Sequence, residues 1–356
     1  MRRNILNAPL PRYATQLDGT QSWIKTTPSN IDLNGSEMFS DGGFETGVAD
    51  WSQVGNHTCS RVTYDYHSGS ACMEIIATGA GNSVNCIFKT LNLTAGNKYT
   101  LEFWGKLKSG TTRNCNFVDQ ISGNNAIVFS TTWTKYVFNR LCATSSPVYP
   151  QWQLAAADTV LIDDVSLTPA WDAIIISIVK SSKDYSGGVG SFLDCVEFTQ
   201  RFATTNNMTT KVSDGTTSIY PTGGTVINNG LSNVLITTLN RTGNATNYVN
   251  GSLEAGTLSM TAIGKLLATP VTVGAGAGGS AFILGSCSSV QIVRGTFTDA
   301  YLAQVVAQIW AQKKPLAAYP NGQVVGWWDW KNGGYDKSGN GNHLTNTGGA
   351  SIVRIK

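Results

Sequence analysis

Short apolar runs alternate with turn-forming residues along most of the chain. Runs at 72–76, 99–107, 173–179 and 234–240 are bounded by segments rich in Gly, Asn, Ser and Thr. Strands of a β-sandwich produce this pattern, because each strand is short and a polar turn follows it. We therefore predict an all-β protein. Further predicted strands lie at 60–66, 84–88, 116–121, 134–138, 159–165, 193–202, 211–213, 245–249, 271–273, 282–284 and 289–293.

One segment in the C-terminal half has helical periodicity instead. Its apolar residues recur at the spacing of one helix face, at Leu302, Val305, Val306, Ile309 and Trp310. Thr298 can cap a helix that begins at Asp299, and Pro315 prevents the helix from continuing. We predict one short α-helix over 299–314.

The length of 356 residues suffices for two domains, each with its own core. Residues 1–36 form a short lead-in, which we assign to the first strands of the second sandwich. Residues 37–169 make one unit, and residues 170–356 make another that contains the helix. We predict two jelly-roll β-sandwich domains, with the first inserted into the second.

Four motifs occur in order within residues 37–169. They are Asp-Gly-Gly-Phe-Glu-Thr-Gly from position 41 with Trp51 after it, Ala-Gly followed by Tyr-Thr-Leu-Glu-Phe-Trp within 95–104, Trp-Thr-Lys-Tyr at 133–136, and Asp-Asp-Val-Ser-Leu at 163–167. In this order they resemble the jelly-roll carbohydrate-binding modules that are attached to xylanases and cellulases. The resemblance implies a jelly-roll fold and a glycan-binding role for this unit.

The remaining sequence resembles a concanavalin-like, laminin-G-like sandwich. The matching motifs are Tyr-Val-Asn-Gly at 248–251, Phe-Ile-Leu-Gly at 282–285 and Phe-Thr-Asp-Ala-Tyr-Leu at 297–302. Two motifs that open that family, 327–330 and 336–341, stand here at the C-terminal end. We interpret this order as a circular permutation in which the termini meet and the first module occupies a surface loop. The alternative is that the C-terminal strands extend toward a neighbouring subunit.

Aromatic side chains bind sugars by covering the C–H face of the ring, while amides and carboxylates hold the hydroxyls. The candidates for glycan contact are Tyr64, Tyr66, Trp152 and Trp51. Trp104 and Trp133 lie in motif strands, so we expect them in the core. The tryptophans at 327–330 are expected in a core or a subunit interface, with sugar binding as the lesser alternative.

The resemblance also implies a structural calcium ion near the junction of the first and last strands of the module. By position, Glu45 and Asp164 would be ligands together with backbone carbonyls, and Asp41 is a further candidate. Oxygen ligands of this kind suit calcium. The alternative is that these carboxylates cap turns or pair with a basic residue.

No residue pattern indicates catalysis. Sandwich glycosidases need two carboxylates about 5–9 Å apart, and we expect Asp163 and Asp164 to point to opposite faces of one strand. The three histidines lie in turn-rich segments, and no Gly-x-Ser-x-Gly motif accompanies them. We therefore expect a non-enzymatic protein.

Charge and cysteine content indicate the setting. A net charge of +3 without a basic stripe does not suit nucleic acid, and no run approaches the ~18 apolar residues of a membrane span. The N-terminus lacks the pattern of a secretory signal peptide. The seven cysteines show no metal-like spacing, which favours free thiols in a reducing cytoplasm.

These features lead us to expect a phage virion surface protein, made in the host cytoplasm and carried on a capsid, head fibre or tail fibre. It would attach to host surface polysaccharide, with other virion subunits as partners in a homo-oligomer. Two alternatives stay open. One is a purely structural decoration or assembly protein, and the other is a subunit of a polysaccharide depolymerase.

Overall fold

The structure is a computed structural model that describes residues 13–18, 24–26, 31–49, 51–54, 57–78, 85–88, 91–110, 114–118, 121, 124–143, 147–148, 151–154, 158–185, 188–195, 198–266, 270–275, 284–330, 334–346 and 351–354. The chain divides into two compact units. The smaller unit is Gly35–Ala170, and the larger unit combines Met1–Asn34 with Trp171–Lys356. Within the described ranges all elements but one helix are β-strands, so the predicted all-β class is confirmed.

The larger unit begins with β1 (Tyr13–Asp18) and β2 (Ile24–Thr26). The smaller unit then contributes β3 (Trp51–Val54), β4 (His57–Val62), β5 (Cys72–Ala77), β6 (Asn85–Phe88), β7 (Leu91–Asn92), β8 (Lys98–Ser109), β9 (Asn114–Val118), β10 (Asn124–Val128), β11 (Thr134–Leu141), β12 (Pro147–Val148), β13 (Gln151–Gln153) and β14 (Thr159–Pro169).

The chain returns to the larger unit for the remaining elements. These are β15 (Asp172–Ser181), β16 (Gly190–Asp194), β17 (Phe198–Phe202), β18 (Asn207–Ser213), β19 (Ser218–Ile219), β20 (Thr222–Val226), β21 (Ser232–Leu239), β22 (Asn244–Val249), β23 (Ser252–Leu253), β24 (Leu258–Ser259), β25 (Thr272–Val273), β26 (Leu284–Gly295), α1 (Asp299–Gln312), β27 (Gly322–Trp328), β28 (Leu344–Asn346) and β29 (Ser351–Arg354).

Two antiparallel sheets enclose the core of the smaller unit. Their strand orders in the described part are β10-β9-β13-β6-β3 and β11-β8-β14-β5-β4, and β7 pairs separately with β12. Strand β8 shows how the sequence sets the two faces of its sheet. Leu101, Phe103 and Leu107 point into the core, and Glu102, Trp104 and Lys106 point outward.

The larger unit has a nine-stranded and an eight-stranded sheet, counted over the described strands. One core cluster joins them and includes Ile175 of β15, Phe192 of β16 and Phe202 of β17. The opposite face of β15 also packs, because Ile174 and Ile176 contact the apolar face of α1. Burial on both faces explains why β15 is a continuous apolar run rather than an alternating one.

The predicted helix is confirmed, although it is shorter than predicted. The Thr298 hydroxyl accepts a hydrogen bond from the Tyr301 backbone N–H and caps the helix at Asp299. The helix ends at Gln312 because Lys313 adopts a left-handed conformation with φ 51°. Pro315 therefore follows the end of the helix rather than causing it.

The first and last strands of the larger unit pair with each other. Strand β1 pairs with β29, β2 pairs with β28, and β27 pairs with β26. Trp328 and Trp330 are buried in the core of this unit, which was one of the expectations for the tryptophans at 327–330. These C-terminal strands pair within the sheets of their own unit. The circular permutation and the extension toward a neighbouring subunit both stay predictions.

Several predicted strands are wrong in their extent. The segment 193–202 is not one strand but the hairpin of β16 and β17, closed by a hydrogen bond from the Cys195 N–H to the Phe198 carbonyl. The strand predicted at 60–66 ends at Val62, and Asp65 beyond it has a φ of 52°, which a strand does not accommodate. Of the strand predicted at 282–284, only Leu284 lies among the described residues.

Candidate functional site

Residues 63–70, here called loop 63–70, connect β4 to β5 across the outer face of a sheet in the smaller unit. The outward side chains of β8 include Trp104, Lys106 and Lys108, because their neighbours Phe103 and Leu107 fill the core. Two Lys106 Nζ–carboxylate contacts of 2.7 Å join this face to Asp65 of the loop. The loop therefore lies against a polar and aromatic surface.

Tyr64 is held at one end of the loop by two charged residues. Its hydroxyl donates to Glu74 Oε1 at 2.6 Å, and Lys108 Nζ lies 4.4 Å from the centre of its ring. The hydrogen bond to Glu74 raises the pKa of Tyr64. Burial acts to raise the pKa of Glu74, but hydrogen bonds from Lys108 and Tyr64 outweigh burial and leave it lowered. Glu74 is thus ionised and Lys108 protonated near neutral pH.

His67 fixes the middle of the loop. Its ring stacks on Trp104 with centroids 3.8 Å apart, and it meets Trp133 edge-on at 5.9 Å. Its Nδ1 atom lies 2.7 Å from Asp164 Oδ2. Trp104 is therefore on the outer face, where His67 covers it, and the expectation that Trp104 belongs to the core is wrong.

The Asp163 side chain anchors loop 63–70 by binding backbone N–H groups of the loop. Its carboxylate accepts hydrogen bonds from the N–H groups of His67 and Ser68 at 2.9 and 3.1 Å, and from that of Asp164 at 2.8 Å. Burial raises the pKa of Asp163 to about 6, and the nearby Asp164 carboxylate adds to this shift. A carboxyl group inaccessible to solvent that binds three backbone donors has a structural role.

The prediction that Asp163 and Asp164 point to opposite faces of a strand is wrong. The pairing of β14 with β8 shifts register between Asp163 and Ser166, and Asp164 has a φ of 49°. This bulge turns both carboxylates toward His67 and Ser68. Strict alternation could not predict this, because it holds only for a regular strand.

Of the four residues predicted to contact a glycan, two are exposed and two are buried. Tyr64 and Tyr66 on loop 63–70 are exposed, at 45% and 42% of their surface. Trp152 and Trp51 are buried in the core, with ring centroids 4.7 Å apart. These two tryptophans are a correction to the prediction, because a ring enclosed by the core presents no face to a sugar.

Four charged residues near the tyrosines were not predicted as part of a site. They are Asp65, Glu74, Lys106 and Lys108. A signal existed on β8, where Trp104, Lys106 and Lys108 alternate with core residues and so share one face. Nothing in the sequence indicated that the 63–70 segment would lie on that face.

The residues expected to hold calcium have different surroundings. Asp41 accepts hydrogen bonds from the backbone N–H groups at 45–47 and from the Thr46 hydroxyl, so it organises a turn and does not fit as a metal ligand. Glu45 and Asp164 flank Gly43, where a Cβ atom would lie 3.9 Å from Glu45 Cγ and 3.8 Å from Asp164 Oδ1. Glu45 and Asp164 are therefore neighbours at Gly43, and their oxygens are of the kind that calcium prefers.

Serines presently satisfy those two carboxylates. Ser70 donates to Glu45 through its N–H and its hydroxyl, and Ser68 Oγ donates to Asp164 at 2.7 Å. The hydrogen bonds from Ser70 lower the pKa of Glu45. Among the residues that the structure describes, no group of three or more His, Cys, Asp or Glu side chains is placed to hold a metal. Calcium binding by Glu45 and Asp164 stays a prediction.

Comparison with known families identifies part of the smaller unit. Residues 36–141 match the family described as a carbohydrate binding domain. The match covers less than a third of the 356 residues, and the predicted carbohydrate-binding module is confirmed at this level. A comparison with curated proteins finds no match.

Solved structures with some similarity are also carbohydrate-binding modules. The CBM22-1 xylan-binding domain from Paenibacillus barcinonensis Xyn10C is 11% identical, with 39% of this chain and 98% of that chain covered and a TM-score of 0.32. A family 16 carbohydrate binding module is 21% identical, with 36% and 96% covered and a TM-score of 0.28. TmCBM61, solved with β-1,4-galactotriose, is 16% identical, with 38% and 99% covered and a TM-score of 0.29.

The larger unit contains the one α-helix of the described residues. Over the described residues, no helix has both the length and the apolar character needed to cross a membrane.

Proposed function

We propose that the smaller unit binds a carbohydrate at the surface of loop 63–70, with Tyr66 as the ring that contacts the sugar. The observation that carries the proposal is the match of residues 36–141 to a carbohydrate binding domain. Tyr64 and Tyr66 are the two of its predicted contact residues that remain exposed.

The chemistry of this surface suits a sugar. Tyr66 has an exposed ring that can cover the C–H face of a sugar. The Tyr64 hydroxyl is already bonded to Glu74 and Lys108, so Tyr64 is tied to charged neighbours. The charged groups of Asp65, Lys106 and Lys108 provide acceptors and donors for hydroxyls. One aromatic ring with a few polar groups beside it is enough to orient a saccharide.

The same surface supports binding rather than catalysis. Asp163 has the raised pKa of a general acid, but it is inaccessible to solvent and occupied by three backbone N–H groups. Asp164 is bonded to His67 and Ser68. A glycosidase needs its acid to reach the glycosidic oxygen. We therefore infer a non-enzymatic protein.

We further propose that the chain is a surface protein of a phage virion, made in the host cytoplasm and assembled with other virion subunits as a homo-oligomer. Its target would be host surface polysaccharide. The thiols support synthesis in a reducing compartment, because five described cysteines are free. Burial raises the pKa of Cys72 and of Cys287 to about 12, so these thiols stay protonated and unreactive. We also propose that the larger unit is a laminin-G-like sandwich.

Three experiments on the full chain test these statements. A glycan array of bacterial surface polysaccharides should show binding, and an array without signal would overturn the binding proposal. Incubation of the chain with a polysaccharide that it binds should release no reducing ends from that polysaccharide. Release of reducing ends would establish a depolymerase. Mass spectrometry of phage particles from cells that carry the gene should detect this chain, whereas its absence from the particles would overturn the virion assignment.

A further inference from the structure

The larger unit contains a cleft of its own beside the end of α1. Its volume is about 390 Å³, within the roughly 300–1,000 Å³ of typical small-molecule sites. The polar and aromatic residues that line it are Ser289, Gln312, Lys314, Trp327, Asp329 and Lys337. All of these lining residues belong to the larger unit.

The cleft exists because α1 covers only part of the outer face of its sheet. The helix packs on Ile174, Ile176 and Ile236, which lie on β15 and β21. Along β27, Trp328 points into the core, so Trp327 points to the outer face. The helix ends at Gln312 and leaves the Trp327 indole partly accessible.

Polar groups surround this indole. Lys337 Nζ lies 4.4 Å from the centre of the Trp327 ring and 2.6 Å from Asp329 Oδ2. The Trp327 indole N–H is buried and has no hydrogen-bond partner in the part of the chain that the structure describes. The cleft therefore combines a partly accessible aromatic ring with a carboxylate and an ammonium group.

Lys314 gives the cleft its charge preference. Lys337 and Asp329 neutralise each other, whereas Lys314 is exposed and forms no ion pair with any described residue. One unpaired ammonium group remains on a partly aromatic surface. Such a surface favours a ligand with an apolar face and one negative charge.

We propose that this cleft binds an acidic saccharide, in which the sugar ring contacts Trp327 and the carboxylate pairs with Lys314. Amide and carboxylate groups of Gln312 and Asp329 then hold the hydroxyls. The site is separate from loop 63–70, so the loss of one site does not imply the loss of the other.

The test is a ligand-observed NMR titration of the full chain with D-glucuronate and with D-glucose. Glucuronate should bind more tightly, and Lys314→Gln should reduce its affinity about threefold, as expected for one exposed charge pair. Glucose binding should not change in that variant. The preference for glucuronate should also shrink at high salt, because salt screens exposed charges.

Two further variants complete the test. Lys180→Gln removes an exposed lysine of the same unit that does not line the cleft, so it should bind glucuronate like the unchanged chain. Trp327→Ala should weaken both sugars, with circular dichroism to verify folding. Absence of glucuronate binding, equal binding of the two sugars, or unchanged affinity in Lys314→Gln would each overturn the proposal. Tyr66→Ala should leave this binding intact.

Discussion

The imidazole ring of His67 lies on the indole ring of Trp104, with centroids 3.8 Å apart and planes 14° apart. The contact joins the middle of loop 63–70 to strand β8, so the exposed tyrosines of the loop are carried by an anchored segment. Asp163 accepts a hydrogen bond from the backbone N–H of His67, and Asp164 Oδ2 is within hydrogen-bond distance of the His67 Nδ1 atom. The position of Tyr66 thus depends on a group that does not itself contact the sugar in our proposal.

Replacement of His67 should loosen the loop without unfolding the unit. We expect His67→Ala to cost about 1 kcal/mol, the usual contribution of a ring pair beyond its buried area. Amide hydrogen exchange by mass spectrometry should become faster over 63–70. His343→Ala removes an edge contact to Tyr335 in the larger unit and should leave that loop unchanged. Equal exchange in the two variants would contradict the anchoring role.

Asp163 should make the stability of the protein depend on pH. Its pKa is raised from 3.8 to about 6, so the protonated form is favoured in the folded state. The stability from this group is complete below pH 4 and is lost as the pH rises through 6. The rise from 3.8 to about 6 corresponds to at most about 3 kcal/mol.

Asp163→Asn isolates this contribution, because its side chain stays neutral. The free energy of unfolding of the variant, minus that of the unchanged chain, should rise by up to about 3 kcal/mol as the pH increases from 4 to 7. Urea unfolding at both pH values measures the difference. Other carboxylates, such as Asp41 and Glu74 with their lowered pKa values, cancel in this comparison. A difference that does not vary with pH would show that Asp163 does not titrate in this range.

Calcium should stabilise the smaller unit if Glu45 and Asp164 bind it. At a calcium concentration 100 times the dissociation constant, the gain is about 2.7 kcal/mol. The melting temperature should then fall on addition of a chelator and recover with excess calcium. Glu45→Gln should abolish this response, whereas Glu37→Gln, which changes another carboxylate of the smaller unit outside the pair, should retain it. A melting temperature that ignores both chelator and calcium would refute the calcium prediction.

The buried Trp152 should matter for stability rather than for sugar recognition. Its ring packs against Trp51 and Phe103, with centroids 4.7 and 5.3 Å away. Truncation to Ala should cost about 3–5 kcal/mol, whereas Tyr66→Ala at the surface should change the stability by less than about 0.5 kcal/mol. Denaturant unfolding of both variants measures this contrast. Similar stability losses would place Tyr66 in the packed interior as well.

The sequence predicts the elements well where burial dictates the pattern. Helix α1 follows from its apolar spacing and from Thr298, and β15 follows from its unbroken apolar run. Both signals are local, so no knowledge of neighbouring strands is needed to read them.

The candidate site could be predicted only in part. The exposure of Tyr64 and Tyr66 was expected, but the burial of Trp152 depends on the partners of β13, which the local sequence does not reveal. The bulge at Asp164 depends likewise on its pairing with β8. The cluster of charges around loop 63–70 arises from residues 34 to 44 positions apart, such as Lys108 with Glu74 and with Tyr64.

The direct test of carbohydrate binding at loop 63–70 is the affinity of the full chain and of Tyr66→Ala for the saccharide selected on the glycan array, measured by titration calorimetry. We expect the variant to melt like the unchanged chain and to lose about tenfold in affinity, since an aromatic contact is worth about 1 kcal/mol or more. Tyr220→Ala removes an exposed tyrosine of the larger unit and should bind normally. Full affinity in a folded Tyr66→Ala variant would contradict the account.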